Sequence, residues 1–451
     1  MRLTVLGGGG FRVPLVHGAL LADDSVTRVT DLVLHDVDPA RLRRIAAVLA
    51  DREQRSGRTG PRIHVESDLA DAVRGSDFVF SAIRVGGLAG RVCDERAALA
   101  NGVLGQETTG AGGVCYGLRT IPVALRIAET VRTLAPDAYV INFTNPAGMV
   151  TEAMSAVLGD RVIGICDSPA GMFKRVGRAL GVDPSTAWFD YAGLNHLGWL
   201  RRVLVGGVDV LPRLLDDDRG LREIEEGRLF GPSWLASLRA VPNEYLWYWY
   251  YTADALKAIE RAGETRGEFL ARQQGEFFAE VESAPAAANA YARWDSTRRE
   301  REETYMADSR DASGSGERDD EDLDGGGYDK LALALMHAIA RDEPATLVLN
   351  VRNQHALPGL DSDAVVEVPC LVDANGPRPM AMQPLASHAQ GLVTTVKDVE
   401  RTTIEAARSG SRRTAVRALA LHPLVDSVTT AERILATQLD QLPELRAVLS
   451  N

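Results

Sequence analysis

Cysteine is scarce in this chain: four residues in 451, Cys93, Cys115, Cys166 and Cys370, far apart and without a C-x-x-C pair. That spacing fits thiols kept reduced better than a disulfide framework, and leaves one of them free to be a ligand. Positive charge is also short. The 50 Lys and Arg face 62 Asp and Glu, a net charge of −12, so a nucleic-acid surface is excluded as the main role while a local basic pocket is not. No run reaches the roughly 18 apolar residues of a membrane span, and the chain opens on a strand-like run instead of a basic segment followed by an apolar one. The expectation is a cytoplasmic protein without a cleaved leader. G-x-S-x-G, H-E-x-x-H and Walker A patterns are absent, which sets aside the chemistries they carry.

What is present is an ordinary globular composition, 45% hydrophobic and 25% charged, in a length that suggests two or three domains at roughly 150 residues each. "RLTVL" reads as a strand, Gly7-Gly8-Gly9-Gly10 as a tight turn and "VPLVHGALLAD" as a helix. "VTDLVLHDVDPARLRRIAAVL" is a strand running into acidic residues and then a helix. "SDFVFSAI", "PDAYVINFT" and "DRVIGICD" are further strands, separated by helical stretches. Strands alternating with helices predict a parallel, doubly wound α/β sheet, a Rossmann-like domain over residues 1–190.

After about residue 190 the pattern changes. "YAGLNHLGWLRRVLVGGVDVL" suggests antiparallel strands, residues 230–300 are rich in helix formers and aromatics, and "DEPATLVLNVRNQHALPGLDSDAVVEVPCLV" reads as paired strands. Residues 191–451 are expected to form a mixed α+β domain for substrate, metal and oligomerisation. Within it the acidic, glycine-rich stretch 308–327 reads as a mobile surface loop. The segment after about residue 397 is helical.

A strand, a glycine run and a helix meet the needs of a dinucleotide site: bare backbone admits a pyrophosphate, and the helix start offers free N–H groups. Gly7 to Gly10 with Phe11 and Arg12 form that candidate, although Arg12 stands where G-x-G-x-x-G wants its third glycine. Asp36, with Asp38 as the other possibility, would hold the adenosine ribose, at a spacing longer than the usual ~20 residues.

Cys166 and Asp167 in "GICDSPAG" lie at a strand end, where open α/β sheets bind ligands, and "GLNHLGW" offers His196. Taken singly, such a cysteine is ordinarily a small buried hydrophobe and such a histidine a hydrogen-bonded core residue. One thiolate and one imidazole leave a metal's other positions to substrate and water. "VPNEYLWYWYY" is by default core or a sugar-stacking wall, and holds Tyr245 and Tyr248; a tyrosine carries protons when a cation lowers its pKa. "NFTNPAG" sets Asn142, Thr144 and Asn145 at another strand end. "GQETTGAGG" is a glycine-dense loop beside Glu107 and Thr108. Arg84, Arg91 and Arg266 are single cations of a kind usually left in solvent.

In order along nearly the whole chain, "GGGGFRVP", "IRVGGLAGRVCDERAAL", "GVLGQETTGAGGVCYGLRTIP", "NFTNPAGMVTEA", "CDSP", "GLNHLGW", "EYLWYWYY", "GETRGEF" and "VVEVPCLV" resemble glycoside hydrolase family four, the NAD- and metal-dependent glycosidases. The resemblance implies a lactate/malate dehydrogenase-like architecture. It also implies a chemistry in which hydride leaves sugar C3 for NAD, and a metal, usually manganese, sits on the C2 and C3 oxygens. A tyrosine then takes the C2 proton, the aglycone leaves, water adds and hydride returns. It puts Cys166 and His196 on the metal, Tyr245 as the base and Asp167 as the acid at the leaving oxygen. Asn145 would contact the sugar, and Arg91 with Arg266 would hold a 6-phosphate.

In this family an aspartate or asparagine after the metal cysteine goes with 6-phosphoglucosides, so Asp167 implies a phosphorylated disaccharide or glucoside as substrate. The chain looks nearer the 6-phospho-β-glucosidases, with 6-phospho-α-glucosidase as the alternative. A homodimer or homotetramer is expected. The competing classes are a lactate- or malate-type dehydrogenase, which would be about a hundred residues shorter, and a non-catalytic NAD sensor, which would not need Cys166, Asp167, His196 and Tyr245 together.

Overall fold

The computed structural model describes residues 1–283, 289–319, 323 and 327–450. Its first half is six parallel strands: β1 (Arg2–Leu6), β2 (Asp31–His35), β3 (Arg62–Glu66), β4 (Phe78–Ser81), β5 (Tyr139–Asn142) and β6 (Val162–Gly164), in the order β3-β2-β1-β4-β5-β6. This is the doubly wound order, with its reversal between β1 and β4. The register aligns Leu6, His35, Ser81, Asn142 and Gly164 across five strands. Gly7, Asp36, Ala82, Phe143 and Ile165 therefore emerge side by side at one end of the sheet.

β3 was not expected. Arg62, His64 and Glu66 break its apolar pattern because it is the sheet's edge, where charges guard unpaired backbone.

The second half adds antiparallel strands to the same sheet: β7 (Trp188–Leu194), β8 (Leu197–Val205), β9 (Val208–Asp209), β10 (Val241–Pro242), β11 (Ala345–Arg352), β12 (Val365–Asp373) and β13 (Gly376–Pro379). β11 and β12 pair along their length, as do β7 and β8. The joints elsewhere are thin. β11 meets β6 at one pair, Asn350 with Gly164, and β12 meets β7 at one pair, Glu367 with Gly193. The C-terminal helices Ser387–Ser409, Arg412–Leu421 and Val428–Gln441 pack on the helices Gly87–Leu99 and Ala111–Leu134 over a second apolar core. No helix among the described residues is long and apolar enough to cross a membrane.

The stretch expected as a mobile acidic loop begins instead as a helix, Ala307–Ser313, with Ser309 and Arg310 buried. Asp308 lies in its first turn, where a carboxylate suits the helix dipole, and Arg310 donates to the Glu303 carbonyl at 2.6 Å. Residues 320–322 and 324–326 of that stretch lie outside the described residues.

The glycine run has a packing reason at every position. Gly7 has φ +84°, and a Cβ there would sit 2.5 Å from the Ala82 carbonyl oxygen on β4. At Gly8 it would meet Leu34 and His35 of β2 at 2.9 Å, and at Gly9 Arg41 at 2.8 Å. Gly7→Ala combines a left-handed backbone with a clash against fixed main chain, so it should cost at least about 1–3 kcal/mol. A urea midpoint unchanged from the parent would contradict this.

Candidate functional site

A cleft of about 1400 Å³ opens along the carboxyl ends of β1, β2, β4, β5 and β6 and runs under the second half. Single small-ligand pockets rarely exceed ~1,000 Å³, so this one has room for a dinucleotide and a sugar together.

At the cofactor end Gly7, Gly10, Phe11 and Arg12 line the cleft, while Gly8 and Gly9 do not. The run therefore divides: Gly8 packs on β2 and Gly9 on Arg41, while Gly7 and Gly10 face the cleft. The helix Val13–Ala22 follows. Asp36 lines the cleft and accepts from the Gly9 N–H at 2.9 Å and the Asp38 N–H at 3.0 Å. Asp38 also lines the cleft, but its Oδ1 caps the helix Pro39–Ser56 through the N–H groups of Ala40 and Arg41 at 2.9 and 3.1 Å. Of the two, Asp36 is the one not spent on a cap. Arg12 reaches away from the glycines, 3.9 Å from Asp167 and 3.6 Å from Glu302, with its guanidinium over the Tyr328 ring.

Cys166, Asp167, Asn145, His196, Tyr245 and Tyr248 all line the same cleft. His196 occupies the tight turn between β7 and β8 with φ +61°, a conformation costly for a non-glycine residue. Thr108 Oγ1 lies 3.0 Å from its Nδ1, and the Tyr245 ring stacks on the imidazole at 3.6 Å and 1°. Burial lowers His196 to about 4, so the ring is neutral at pH 7 and Nε2 has no protein partner among the described residues. Burial, with Glu367 and Asp167 nearby, pushes the Cys166 thiol well up, and burial raises Tyr245. Among the described residues no group of three or more His, Cys, Asp and Glu converges on one point. An imidazole with one nitrogen fixed and one free, in a cleft also lined by Cys166, fits an open metal site completed by a ligand.

Behind these residues Glu367 is buried and takes hydrogen bonds from Tyr191 at 2.9 Å, Asn195 at 3.1 Å and Asn350 at 2.8 Å; burial pushes it up to about 7. Glu244, also pushed up to about 7 by burial, accepts from Ser168 at 2.6 Å. Asn142 and Thr144 brace the strand end: Asn142 Nδ2 donates to Thr144 and Ala147 carbonyls, and Thr144 Oγ1 accepts from the Ile83 N–H. Asn145 makes no side-chain hydrogen bond among the described residues and faces the cleft uncommitted.

Arg91 and Arg266 line the cleft with Arg301, which the sequence reading missed, and besides burial both lower Arg301 through their charge, as does Arg12. Arg301 lies in "TRREREETY", which reads as a solvated charged helix. Glu107 is the other omission of role: it pairs with Arg91 at 2.7 Å and with Arg84. Burial alone would raise Glu107, but those two cations outweigh it and bring it to about 2.

One cleft lined by the glycine turn, Cys166, His196, Tyr245 and three arginines gathers groups suited to ligand binding and proton transfer. Sequence comparison is more specific. "Family 4 glycosyl hydrolase" matches residues 2–182 and "Family 4 glycosyl hydrolase C-terminal domain" matches 191–425. The chain belongs to glycosyl hydrolase family 4. It is similar to the "Probable 6-phospho-beta-glucosidase" of Bacillus subtilis, 33% identical over 98% of this chain and 96% of that one. It is also similar to "6-phospho-alpha-glucosidase 1" of Lacticaseibacillus paracasei, 29% identical over 98% of each. Among solved structures, the 6-phospho-beta glucosidase of Thermotoga maritima with manganese, NAD+ and glucose-6-phosphate superposes with TM-score 0.81, at 26% identity over 98% of each chain. Malate dehydrogenase of Plasmodium falciparum, 13% identical with TM-score 0.50 over 93% of this chain and 100% of its own, shares the fold alone.

Glu107→Gln should destabilise the protein by about 1.5–3 kcal/mol, because two guanidiniums lose a charged partner. Since the folded Glu107 is depressed, its contribution is complete above pH 4.5 and lost as pH falls toward 2. Urea midpoints across pH 3–7 should show the variant and parent converging on the acid side. A gap that does not narrow would contradict the assignment.

Proposed function

We propose that this chain is a 6-phospho-β-glucosidase that uses NAD and a divalent metal, probed most simply with manganese; 6-phospho-α-glucosidase is the alternative within the same family. The observation that carries the reading is that one cleft is lined by Gly7 and Gly10, Asp36, Cys166, Asp167, His196 and Tyr245 at once. The relatives named above support it, the β relative at 33% identity against 29% for the α relative. When bound, NAD would take and return a hydride at sugar C3, and the metal would withdraw electrons from the C2 and C3 oxygens.

The chain's own residues then divide the work. Gly7 and Gly10 admit the pyrophosphate, with Phe11 and Arg12 beside it, and Asp36 holds the ribose. Cys166 and His196 hold the metal. Tyr245, stacked on His196, would accept the C2 proton; burial holds its phenol up, and a cation held by Cys166 and His196 would supply the charge that lowers it. Asp167 serves the leaving oxygen, Asn145 a sugar hydroxyl, and the arginine end around Arg91 and Arg266 the 6-phosphate. The reading also takes the protein to be a cytoplasmic homodimer or homotetramer with its two domains meeting near residue 190, which sedimentation of the purified chain addresses.

Hydrolysis of a 6-phosphoglucoside in heavy water should place deuterium at C2 of the product, and Tyr245→Phe should slow turnover roughly 10²- to 10⁴-fold. Complete turnover with no label at C2 would overturn the reading in favour of direct displacement. Cys166→Ser should weaken manganese binding by at least about tenfold in an electron-spin titration, since a first-row cation loses its one soft ligand. Binding equal to the parent's would remove Cys166 from the metal.

A further inference from the structure

The three arginines at the far end of the cleft carry their charge in different ways. Arg91 is matched: its Nε donates to Glu95 Oε1 at 2.8 Å and its Nη1 to Glu107 Oε2 at 2.7 Å. The other oxygen of Glu95 accepts from the Gly267 N–H at 2.8 Å. Arg91 thus fixes, through Glu95, the start of the helix Arg266–Ser283. Arg266 meets only neutral acceptors, Thr304 Oγ1 at 2.8 Å and the Arg301 carbonyl at 2.7 Å.

Arg301 has less. Its guanidinium makes no hydrogen bond or ion pair among the described residues, and its Nε is buried without a partner. Burial and the neighbouring cations Arg12, Arg266 and Arg91 bring it down to about 9, against the Glu302 carboxylate and, more weakly, Glu107, which feels its charge but makes no ion pair with it. The Glu302 carboxylate is already shared with Arg12 at 3.6 Å and Arg318 at 3.7 Å. Arg301 stands in the last turn of the helix Ala290–Glu303, where the dipole favours a cation, but a dipole leaves the N–H donors of the fork unused. A desolvated guanidinium with unused donors is expensive unless an anion completes it.

We propose that Arg301 is an anion-binding residue of this site, gripping the sugar's 6-phosphate together with Arg266, and that Arg91 acts by positioning Arg266. The inference rests on the reading of the substrate as phosphorylated. It separates the two ligands from the support by what each guanidinium already bonds: two carboxylates for Arg91, neutral oxygens for Arg266, and no hydrogen-bond or ion-pair partner among the described residues for Arg301.

The test is calorimetric titration of the manganese-loaded enzyme with NAD, and of the enzyme loaded with NAD and manganese with glucose 6-phosphate and with glucose, in the parent, Arg301→Gln and Arg301→Lys. Arg301→Gln should weaken glucose 6-phosphate about ten- to a hundredfold and leave glucose and NAD binding unchanged. Arg301→Lys, which keeps the charge and loses the fork, should weaken it less. If the parent binds glucose 6-phosphate no more tightly than glucose, the phosphorylated-substrate reading has failed. If the parent does prefer it and Arg301→Gln binds it as tightly as the parent, the Arg301 inference alone has failed. Equal losses for glucose, NAD and glucose 6-phosphate would make Arg301 structural and overturn the proposal too. Should Arg301→Gln not fold, parent-like affinity in Arg301→Lys overturns it.

Discussion

The hydrogen bond between Asn350 and Glu367, 2.8 Å long and buried, is the interaction on which the site's geometry depends. These two residues are also the points at which β11 meets β6 and β12 meets β7, each through a single residue pair. Their partners are glycines for steric reasons. A Cβ on Gly164 would lie 2.5 Å from Thr151 Oγ1, and one on Gly193 would collide with the Leu197 carbonyl. Cys166 follows Gly164 by two residues and His196 follows Gly193 by three. The separation of cysteine and imidazole is thereby set by the β11–β12 ladder, which this side-chain clasp reinforces at the pair where both joints lie, and not by either loop. The same carboxyl holds Asn195, the residue before His196, so the clasp also steadies the strained turn.

Charge compensation governs the other end of the cleft. The chain is acidic overall, yet the ligand space near Arg91, Arg266 and Arg301 holds guanidiniums whose carboxylates are shared or absent. Long-range repulsion of an anionic ligand by the net charge is screened over about 8 Å in physiological salt, so a local excess of this kind is enough to bind one. Glu95 and Glu107 act less as neutralisers than as struts: each joins two elements through a cation or a backbone N–H. This is how a cleft rich in like charge keeps its shape before a ligand arrives.

Much of the fold was legible because its signals are local. Apolar strands alternating with helices, the glycine run and the strand-end "GICD" each declare themselves within a dozen residues. What escaped depends on tertiary context. β3 is a five-residue edge strand with only two apolar residues, Ile63 and Val65, too short and polar to stand out. Arg301 sits among charged neighbours on a helix that any periodicity argument would expose to water, and only the folded cleft shows its Nε shut away. Ala307–Ser313 looked like part of an acidic loop, but Asp308 at its first turn and packing against the helix Thr252–Ala262 make it helical. The glycines carried a double meaning that sequence does not separate: Gly8 lets β2 approach and Gly9 lets Arg41 approach, while Gly7 and Gly10 face the cleft.

The central claim is that this cleft takes a phosphorylated glucoside, and substrate preference tests it most directly. The measurement is kcat/KM with NAD and manganese on nitrophenyl glucosides of both anomers, each with and without a 6-phosphate. The account predicts that the 6-phospho-β-glucoside is hydrolysed best and that removing its phosphate costs at least about tenfold, the loss of one charge-assisted contact. An unphosphorylated glucoside cleaved as well as its phosphorylated counterpart would contradict it.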